Sequence, residues 1–156
     1  MIGKLALAGV IAGGVAIGLL WPTGGRSDAG VTTTELVLTR DSDKHYYADA
    51  KVNGHNVRFM VDTGAEQIGL TEEDAVAAGF QPDPANYEVL GEGASGMVRG
   101  QHVQLKSLEL NGIKHENVDA VIIQGATASL LGQSFLDQVN EIVIRKGEMR
   151  LRFGPA

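Results

Sequence analysis

Residues 59–65, with the sequence FMVDTGA, decide how this chain is interpreted. Three apolar residues end a run that is typical of a buried β-strand, and Asp62, Thr63 and Gly64 follow at once. As a purely structural feature, such a triplet is a turn that closes the strand. The flanking residues favour a functional site, because a carboxylate placed directly after a buried strand lies at the edge of the core, where neighbours must compensate for its charge.

On both sides of this stretch the pattern is mostly β. Two Asn-Gly pairs, Asn53-Gly54 and Asn111-Gly112, predict two-residue hairpin turns. Residues 71–78 predict a helix that begins at the N-cap Thr71 and ends before Gly79, and 133–139 predict a second, shorter one. Strands are predicted at 33–39, 45–52, 55–61, 68–70, 86–90, 97–110, 118–124, 142–144 and 149–153. The fold class is therefore all-β with small helices.

Composition and charge exclude several classes of function. A chain of 156 residues with 44% hydrophobic residues suits one ordinary domain with a buried core. The formal net charge of −6, without a basic stripe, disfavours nucleic-acid binding. The absence of cysteine excludes disulfides, a thiol nucleophile and cysteine-ligated zinc. The four histidines lack the spacing of a metalloprotease helix and are expected at the solvated surface, so we expect no metal and no cofactor.

The N-terminal segment differs from the rest of the chain. Residues 5–21 carry no charged side chain, and as a helix they would reach about 25 Å, slightly less than a hydrocarbon core of about 30 Å. Lys4 before this stretch predicts a cytoplasmic N-terminus, and Trp21 suits the opposite interface. We therefore predict a single-pass anchor in the inner or cytoplasmic membrane over 1–21, a flexible linker over 22–32 and an exported, periplasmic or extracellular domain over 33–156. A cleaved signal peptide is the alternative, because Ser27-Asp28-Ala29 resembles a cleavage site.

A second motif lies about thirty residues after the aspartate. Residues 91–96 (GEGASG) match the pattern G-x-G-x-x-G of nucleotide-binding loops. The residues that follow alternate as a strand and not as a helix, which disfavours a dinucleotide site, and the catalytic motifs of a kinase are missing downstream. The pattern therefore predicts a mobile hairpin tip.

Taken together, these motifs resemble the retropepsin family of aspartic proteases, including its membrane-anchored bacterial branch. Three features carry the resemblance: the run VDTGA at 61–65, the glycine-rich hairpin, and Leu130-Leu131-Gly132 followed by a short helix. In the family, an apolar-apolar-Gly strand with a following helix braces the catalytic loop. The resemblance spans roughly residues 33–153 and implies an acid-protease fold, a closed β-barrel with one lobe per chain.

The same resemblance implies that Asp62, Thr63 and Gly64 are catalytic in an aspartic endopeptidase. Aspartic proteolysis uses two carboxylates that share a proton, whereas this chain supplies one Asp-Thr-Gly. The active species would therefore be a homodimer in which Asp62 faces its counterpart, with a peptide or protein as substrate. Thr63 would form a hydrogen bond across the two-fold axis. The residues implied to bind substrate are Ala65, Glu66, Gly91, Gly93, Ala94, Ser95 and Gly96.

Three positions differ from relatives in the wider family. Ala65 stands where pepsin-like relatives have Ser or Thr, whose hydroxyl can donate to the carboxylate, so we expect a less acidic pH optimum than that of pepsin. Glu66 and Gln133 stand where viral members commonly have an Asp and an Arg that form an ion pair. Here that pair can only be a hydrogen bond.

Two other functions stay open at this stage. A retropepsin-like domain tethered to a membrane could bind an extended peptide or a partner protein without cutting it, since a fold does not guarantee its chemistry. A purely structural exported β domain is the other possibility. In that case Asp62 would be indifferent to function and the protein would be a monomer.

Overall fold

The computed structural model describes residues 33–93 and 96–154. The predicted anchor, residues 1–21, and the hairpin residues Ala94 and Ser95 lie outside this part of the chain, as does the linker. No helix of the described residues is long and apolar enough to cross a membrane. A 3-10 turn spans Pro84–Asn86. The strands and helices, in chain order, are β1 (Thr34–Thr39), β2 (Tyr47–Val52), β3 (His55–Val61), β4 (Gly69–Leu70), α1 (Glu72–Ala77), β5 (Glu88–Gly93), β6 (Gly96–Leu110), β7 (Ile113–Ile123), β8 (Ser129–Leu131), α2 (Gln133–Leu136), β9 (Glu141–Arg145) and β10 (Glu148–Phe153).

Six strands close into a barrel, which confirms the predicted all-β fold. They follow one another in the order β2, β3, β8, β4, β7 and β6, and β6 returns to pair with β2. Most pairs are antiparallel, but β3 runs parallel to β8 and β4 runs parallel to β7. Strand β5 lies outside the ring and pairs only with the first residues of β6, 96–100, so this hairpin extends beyond the six barrel strands.

The barrel core comes from the alternation of side chains along the strands. In β3, Val57, Phe59 and Val61 are buried, while the residues between them are exposed or half-buried. The two predicted Asn-Gly turns are present, and both residues of each turn have a positive φ, as a tight hairpin turn with this twist requires. Helix α1 begins as predicted, because the Thr71 hydroxyl accepts a hydrogen bond from the backbone N–H of Asp74 at 3.0 Å.

A buried hydroxyl joins the barrel to helix α1. Ser129 is only 1% exposed. Its Oγ donates to Oδ2 of Asp74 at 2.5 Å and accepts from the backbone N–H of Thr71 at 3.0 Å. Since a buried polar group without partners is costly, these two contacts hold the short strand β8 against the start of the helix.

The two ends of the described domain meet in a second sheet, ordered β1-β10-β9. Its inner face places Met149, Leu151 and Phe153 in the core. On its outer face, Glu35 accepts hydrogen bonds from Arg150 at 2.8 Å and from Arg152 at 2.7 Å. The pKa of Glu35 lies below its ordinary value of 4.5, because these two guanidinium groups, Arg152 first, stabilise its charged form.

Several predicted boundaries differ from the structure. The hairpin strands reach further than predicted, so that Gly93 pairs with Gly96 and the glycine-rich tip is mostly part of the ladder. Strand β7 starts at Ile113 and not at 118, because it continues the antiparallel pairing with β6 directly from the turn. Strand β2 starts at Tyr47, since the residues before it form a tight loop closed by an Arg40–Tyr46 bridge. The second helix ends at Leu136.

Candidate active site

Asp62 lies at the end of β3, in a position set by the parallel neighbour β8. Val61 is in register with Leu131, and the backbone N–H of Asp62 donates to the Leu131 carbonyl at 3.2 Å. The Asp62 side chain is half-buried, whereas Thr63 and Gly64 are exposed. The backbone N–H of Gly64 donates to Oδ1 of Asp62 at 2.9 Å. The loop thus orients the carboxylate by its own backbone and presents it beside two exposed residues.

Gly132 and the start of α2 support the loop from below. A Cβ atom at Gly132 would lie 2.3 Å from the Gln67 carbonyl oxygen and 2.7 Å from that of Ala65, so only glycine fits at this distance. The next two backbone N–H groups donate into the loop: that of Gln133 to the Ala65 carbonyl at 2.8 Å, and that of Ser134 to the Glu66 carbonyl at 3.0 Å. The structure therefore has the brace that the family resemblance implies.

The Gln133 side chain makes a contact that differs from the expected one. Its Nε2 donates to the backbone carbonyl of Thr63 at 2.7 Å, and not to the Glu66 side chain. The amide thereby fixes the peptide group inside the Asp-Thr-Gly triplet. A neutral side-chain donor to a backbone carbonyl cannot be recognised from sequence spacing, because Gln133 lies 70 positions from Thr63 along the chain.

The other predicted site residues lie in the hairpin of β5 and β6, which we term the flap. Gly91 pairs with Val98 and Gly93 with Gly96, after a register shift between Val89 and Gly91. The flap exposes most of its side chains, including Met97, which is 66% exposed. The predicted site residues thus fall into two groups, the loop at 62–66 and the flap. Ala94 and Ser95 are outside the described residues.

The histidines form no metal centre in the described part of the chain, and a large surface cavity lies away from Asp62. Among the described residues, no cluster of three or more His, Cys, Asp or Glu side chains could hold a metal ion. Three histidines are exposed as predicted; His115 differs, since its Nε2 is buried and its ring packs edge-on against Phe135. A cavity of about 890 Å³ opens between Arg58, α1 and Ser129, but Asp62 does not line it.

Comparison with known sequences identifies the family. The model of the gag-polyprotein putative aspartyl protease family matches residues 48–138. An uncharacterized protein from the cobV 5' region of a Sinorhizobium species is 34% identical over 120 residues, which cover 76% of this chain and 52% of that protein. An uncharacterized protein of Rickettsia prowazekii is 33% identical over 120 residues, with the same coverage. The chain thus spans about half the length of the curated relatives it matches.

Solved structures agree with this assignment. The crystal structure of a retropepsin-like aspartic protease from Rickettsia conorii is 31% identical, covers 81% of this chain and 96% of its own, and superposes with a TM-score of 0.66. The EIAV protease in complex with the inhibitor HBY-793 is 14% identical, covers 69% of this chain and all of its own, and has a TM-score of 0.56, which shows a shared fold. With an Asp-Thr-Gly loop that Gly132 and the start of α2 support in a closed barrel, this chain belongs to the retropepsin-like family of aspartic proteases.

Proposed function

We propose that this protein is an aspartic endopeptidase that hydrolyses peptide bonds as a homodimer, with a water molecule activated between the Asp62 carboxylates of two copies. One observation carries the proposal. The half-buried Asp62 carboxylate is oriented by the Gly64 N–H, in a loop that Gly132 and Gln133 hold from behind. A turn that merely closed a strand would not need this much support for three residues of which two, Thr63 and Gly64, are exposed.

The chemistry requires two carboxylates with different roles. Like charges at close range cannot both ionise, so the pair shares one proton. The ionised carboxylate takes a proton from water, whose oxygen attacks the peptide carbonyl carbon, while the protonated carboxylate donates to the carbonyl oxygen. The tetrahedral intermediate collapses when the C–N bond breaks: the carboxyl group that took the proton from water passes it to the leaving nitrogen, and a hydroxyl of the intermediate returns its proton to the other carboxylate, so the pair again holds one proton. In this chain Gly64 orients Oδ1 of the carboxylate, and Gln133 fixes the loop.

The second carboxylate would come from an identical chain. The described domain provides one Asp-Thr-Gly loop, and Thr63 beside it is exposed and free to meet a counterpart. Strand β9 lies at the edge of the terminal sheet, where its backbone can pair with another strand. On this strand Ile142 is 36% exposed and Ile144 is 56% exposed. They pair with Leu151 and Met149, which are buried, so all four side chains lie on the same face of the sheet. This apolar edge supports association between two copies.

We further propose that residues 1–21 tether the enzyme to the inner or cytoplasmic membrane and that the protease domain is exported. The apolar run after Lys4 supports this arrangement. Attachment of two copies to one membrane raises their effective concentration, which favours a weak dimer. The substrate would then be an extended peptide or protein segment that reaches the exported domain.

The replacement Asp62→Asn tests the proposed activity. It keeps the size of the side chain and removes the acid-base function, so we expect cleavage of a peptide library to fall by about 10³-fold or more. The mass of the dimer in solution should not change. Asp49→Asn is the matched control, because Asp49 is an exposed residue of β2. Cleavage that survives in Asp62→Asn would contradict the proposal, and so would a wild-type protein that binds peptides saturably but cuts none of them.

A further inference from the structure

The base of the flap is tied to helix α1 by a buried tyrosine. Tyr87 comes directly before β5, and the residue is only 5% exposed. Its hydroxyl donates to Oε1 of Glu72 at 2.6 Å. Burial first, and then this hydrogen bond, raise the pKa of Tyr87 to about 12. The phenol therefore stays protonated at neutral pH and donates a hydrogen bond to Glu72.

This contact is one side of a closed ring of hydrogen bonds. The Arg99 side chain, which belongs to the second flap strand, donates from Nη2 to the Tyr87 carbonyl at 2.7 Å. The Arg99 carbonyl accepts from the backbone N–H of Gln124 at 2.9 Å. The next residue, Gly125, donates its N–H to Oε2 of Glu72 at 3.3 Å. Both oxygens of Glu72 are thus used, one toward the flap and one toward the β7–β8 turn.

The ring can control the orientation of the flap because the flap itself makes few contacts with the rest of the domain. Five of the six residues of β5 are exposed, and Leu90 is half-buried. Beyond its base, the flap is held mainly by its own ladder. At the base, by contrast, a Cβ at Gly100 would lie 2.1 Å from the Ile122 carbonyl oxygen, so the second flap strand passes directly against β7. The orientation of the hairpin is therefore determined at its base, near Tyr87 and Arg99, where the ring of hydrogen bonds lies.

We infer that Glu72 is a positioning residue, which acts through Tyr87 and Gly125 to fix the flap in the orientation that receives substrate. The inference rests on the proposed function, since a flap has this role only in a peptide-binding cleft. Glu72 itself need not touch substrate. Its carboxylate accepts two donors from segments that lie 15 and 53 positions away along the chain, so it couples the flap base to the turn that leads into β8.

Hydrogen exchange of the full chain, resolved over residues 86–100, tests the inference without substrate. Glu72→Gln replaces one of the two acceptor oxygens of Glu72 by an NH2 group, which cannot accept a hydrogen bond, and Tyr87→Phe loses the donor to Glu72. We expect each change to speed exchange of the flap amides by about tenfold, which corresponds to the loss of one charge-assisted hydrogen bond. If the ring acts as a unit, the double variant exchanges no faster than either single variant. Glu73→Gln, an exposed neighbour on the same helix, should leave exchange unchanged.

Kinetics with a cleaved peptide separate positioning from mere stability. We expect KM to rise about fivefold in both single variants while kcat stays within about twofold, because an unfixed flap reduces preorganisation for binding and not the chemistry at Asp62. A role limited to folding would lower the urea midpoint and leave KM unchanged.

The outcomes distinguish this inference from the proposed function. Flap exchange equal to wild type in Glu72→Gln overturns the inference even if the enzyme cleaves peptides. Faster flap exchange with an unchanged KM also overturns it. If the increase in exchange rate in the double variant equals the product of the increases in the two single variants, the bonds act independently, which contradicts a ring that acts as a unit. Should the wild type cleave nothing, the proposed function fails, and the affinity for a peptide-like transition-state mimic replaces KM: a fivefold loss in the variants supports the inference and equal affinity overturns it.

Discussion

The replacement Gly132→Ala tests the brace beneath the aspartate loop. The added methyl group would lie 2.3 Å from the Gln67 carbonyl oxygen and 2.7 Å from the Ala65 carbonyl oxygen, and both obstacles are backbone atoms. The backbone of Gly132 has φ of −89°, which alanine adopts freely, so the whole effect is steric. Since no side chain can turn away, the loop must move by about 1 Å relative to β8.

That displacement has a size that can be worked out. Overpacking of a rigid site costs about 2 kcal/mol. The hydrogen bonds from Gln133 and Ser134 into the loop lengthen as well, at a cost of about 1 kcal/mol. We therefore expect the free energy of unfolding to fall by about 3 kcal/mol, or the urea midpoint by about 1.5 M at a slope of about 2 kcal/mol/M. Because the same shift moves Asp62, peptide cleavage should fall by about 10²-fold.

Urea titration at a fixed protein concentration measures the first quantity, and initial cleavage rates well below the unfolding transition measure the second. Gly91→Ala is the matched control for stability, because a Cβ at Gly91 meets nothing within 4 Å. Its free energy of unfolding, obtained from the urea midpoint, should differ from that of the wild type by no more than about 0.5 kcal/mol. A Gly132→Ala protein that unfolds with wild-type midpoint and cleaves at the wild-type rate would refute the brace.

Two further predictions concern stability. Ser129→Ala removes the buried hydroxyl that joins β8 to α1 and should lower the free energy of unfolding by about 2 kcal/mol. The control Ser134→Ala, on the exposed side of α2, should change the free energy of unfolding by less than about 0.5 kcal/mol. Urea titration measures both changes. Arg152 and Arg150 lower the pKa of Glu35 in the folded state below its ordinary value of 4.5. The ionised Glu35 carboxylate therefore stabilises the fold fully at pH values above 4.5, and this stabilisation is lost as the pH falls through the folded-state pKa. Glu35→Gln should therefore lower Tm at neutral pH, and the difference from wild type should disappear once the pH lies below the folded-state pKa of Glu35. A difference in Tm that does not shrink as the pH falls below 4.5 would contradict the ion-pair explanation.

Features that depend on neighbouring residues could be predicted from the sequence. The Asn53-Gly54 turn needs two positive φ angles, and these residue types adopt them at low cost. The start of α1 follows from a hydroxyl and three acidic residues in the first turn. The end of β3 at Asp62 follows from an apolar run that stops at a carboxylate. Each of these signals lies within a few residues of the feature it determines.

Features that depend on tertiary pairing could not be predicted in this way. Strand β8 has only three residues, too few for a periodic pattern; the family resemblance indicates it at Leu130-Leu131, and only the structure shows its parallel pairing with β3. His115 is flanked by polar residues, yet Phe135 from α2 packs against its ring. The glycines of the flap have a low intrinsic preference for strands, and cross-strand pairing keeps them in the ladder. The Glu72 ring joins segments that no local rule connects.

One short segment links the two groups of site residues. At one end of residues 125–131, the Gly125 N–H donates to Glu72 and so belongs to the ring at the flap base. At the other end, the Leu131 carbonyl accepts from the Asp62 N–H. Between them, Ser129 bonds to the same helix that carries Glu72. Because closely packed segments move together and do not deform freely, a displacement of this turn would reach both the aspartate loop and the flap. The flap base and the aspartate loop thus each form a hydrogen bond with the same seven-residue segment, although they lie in different parts of the sequence.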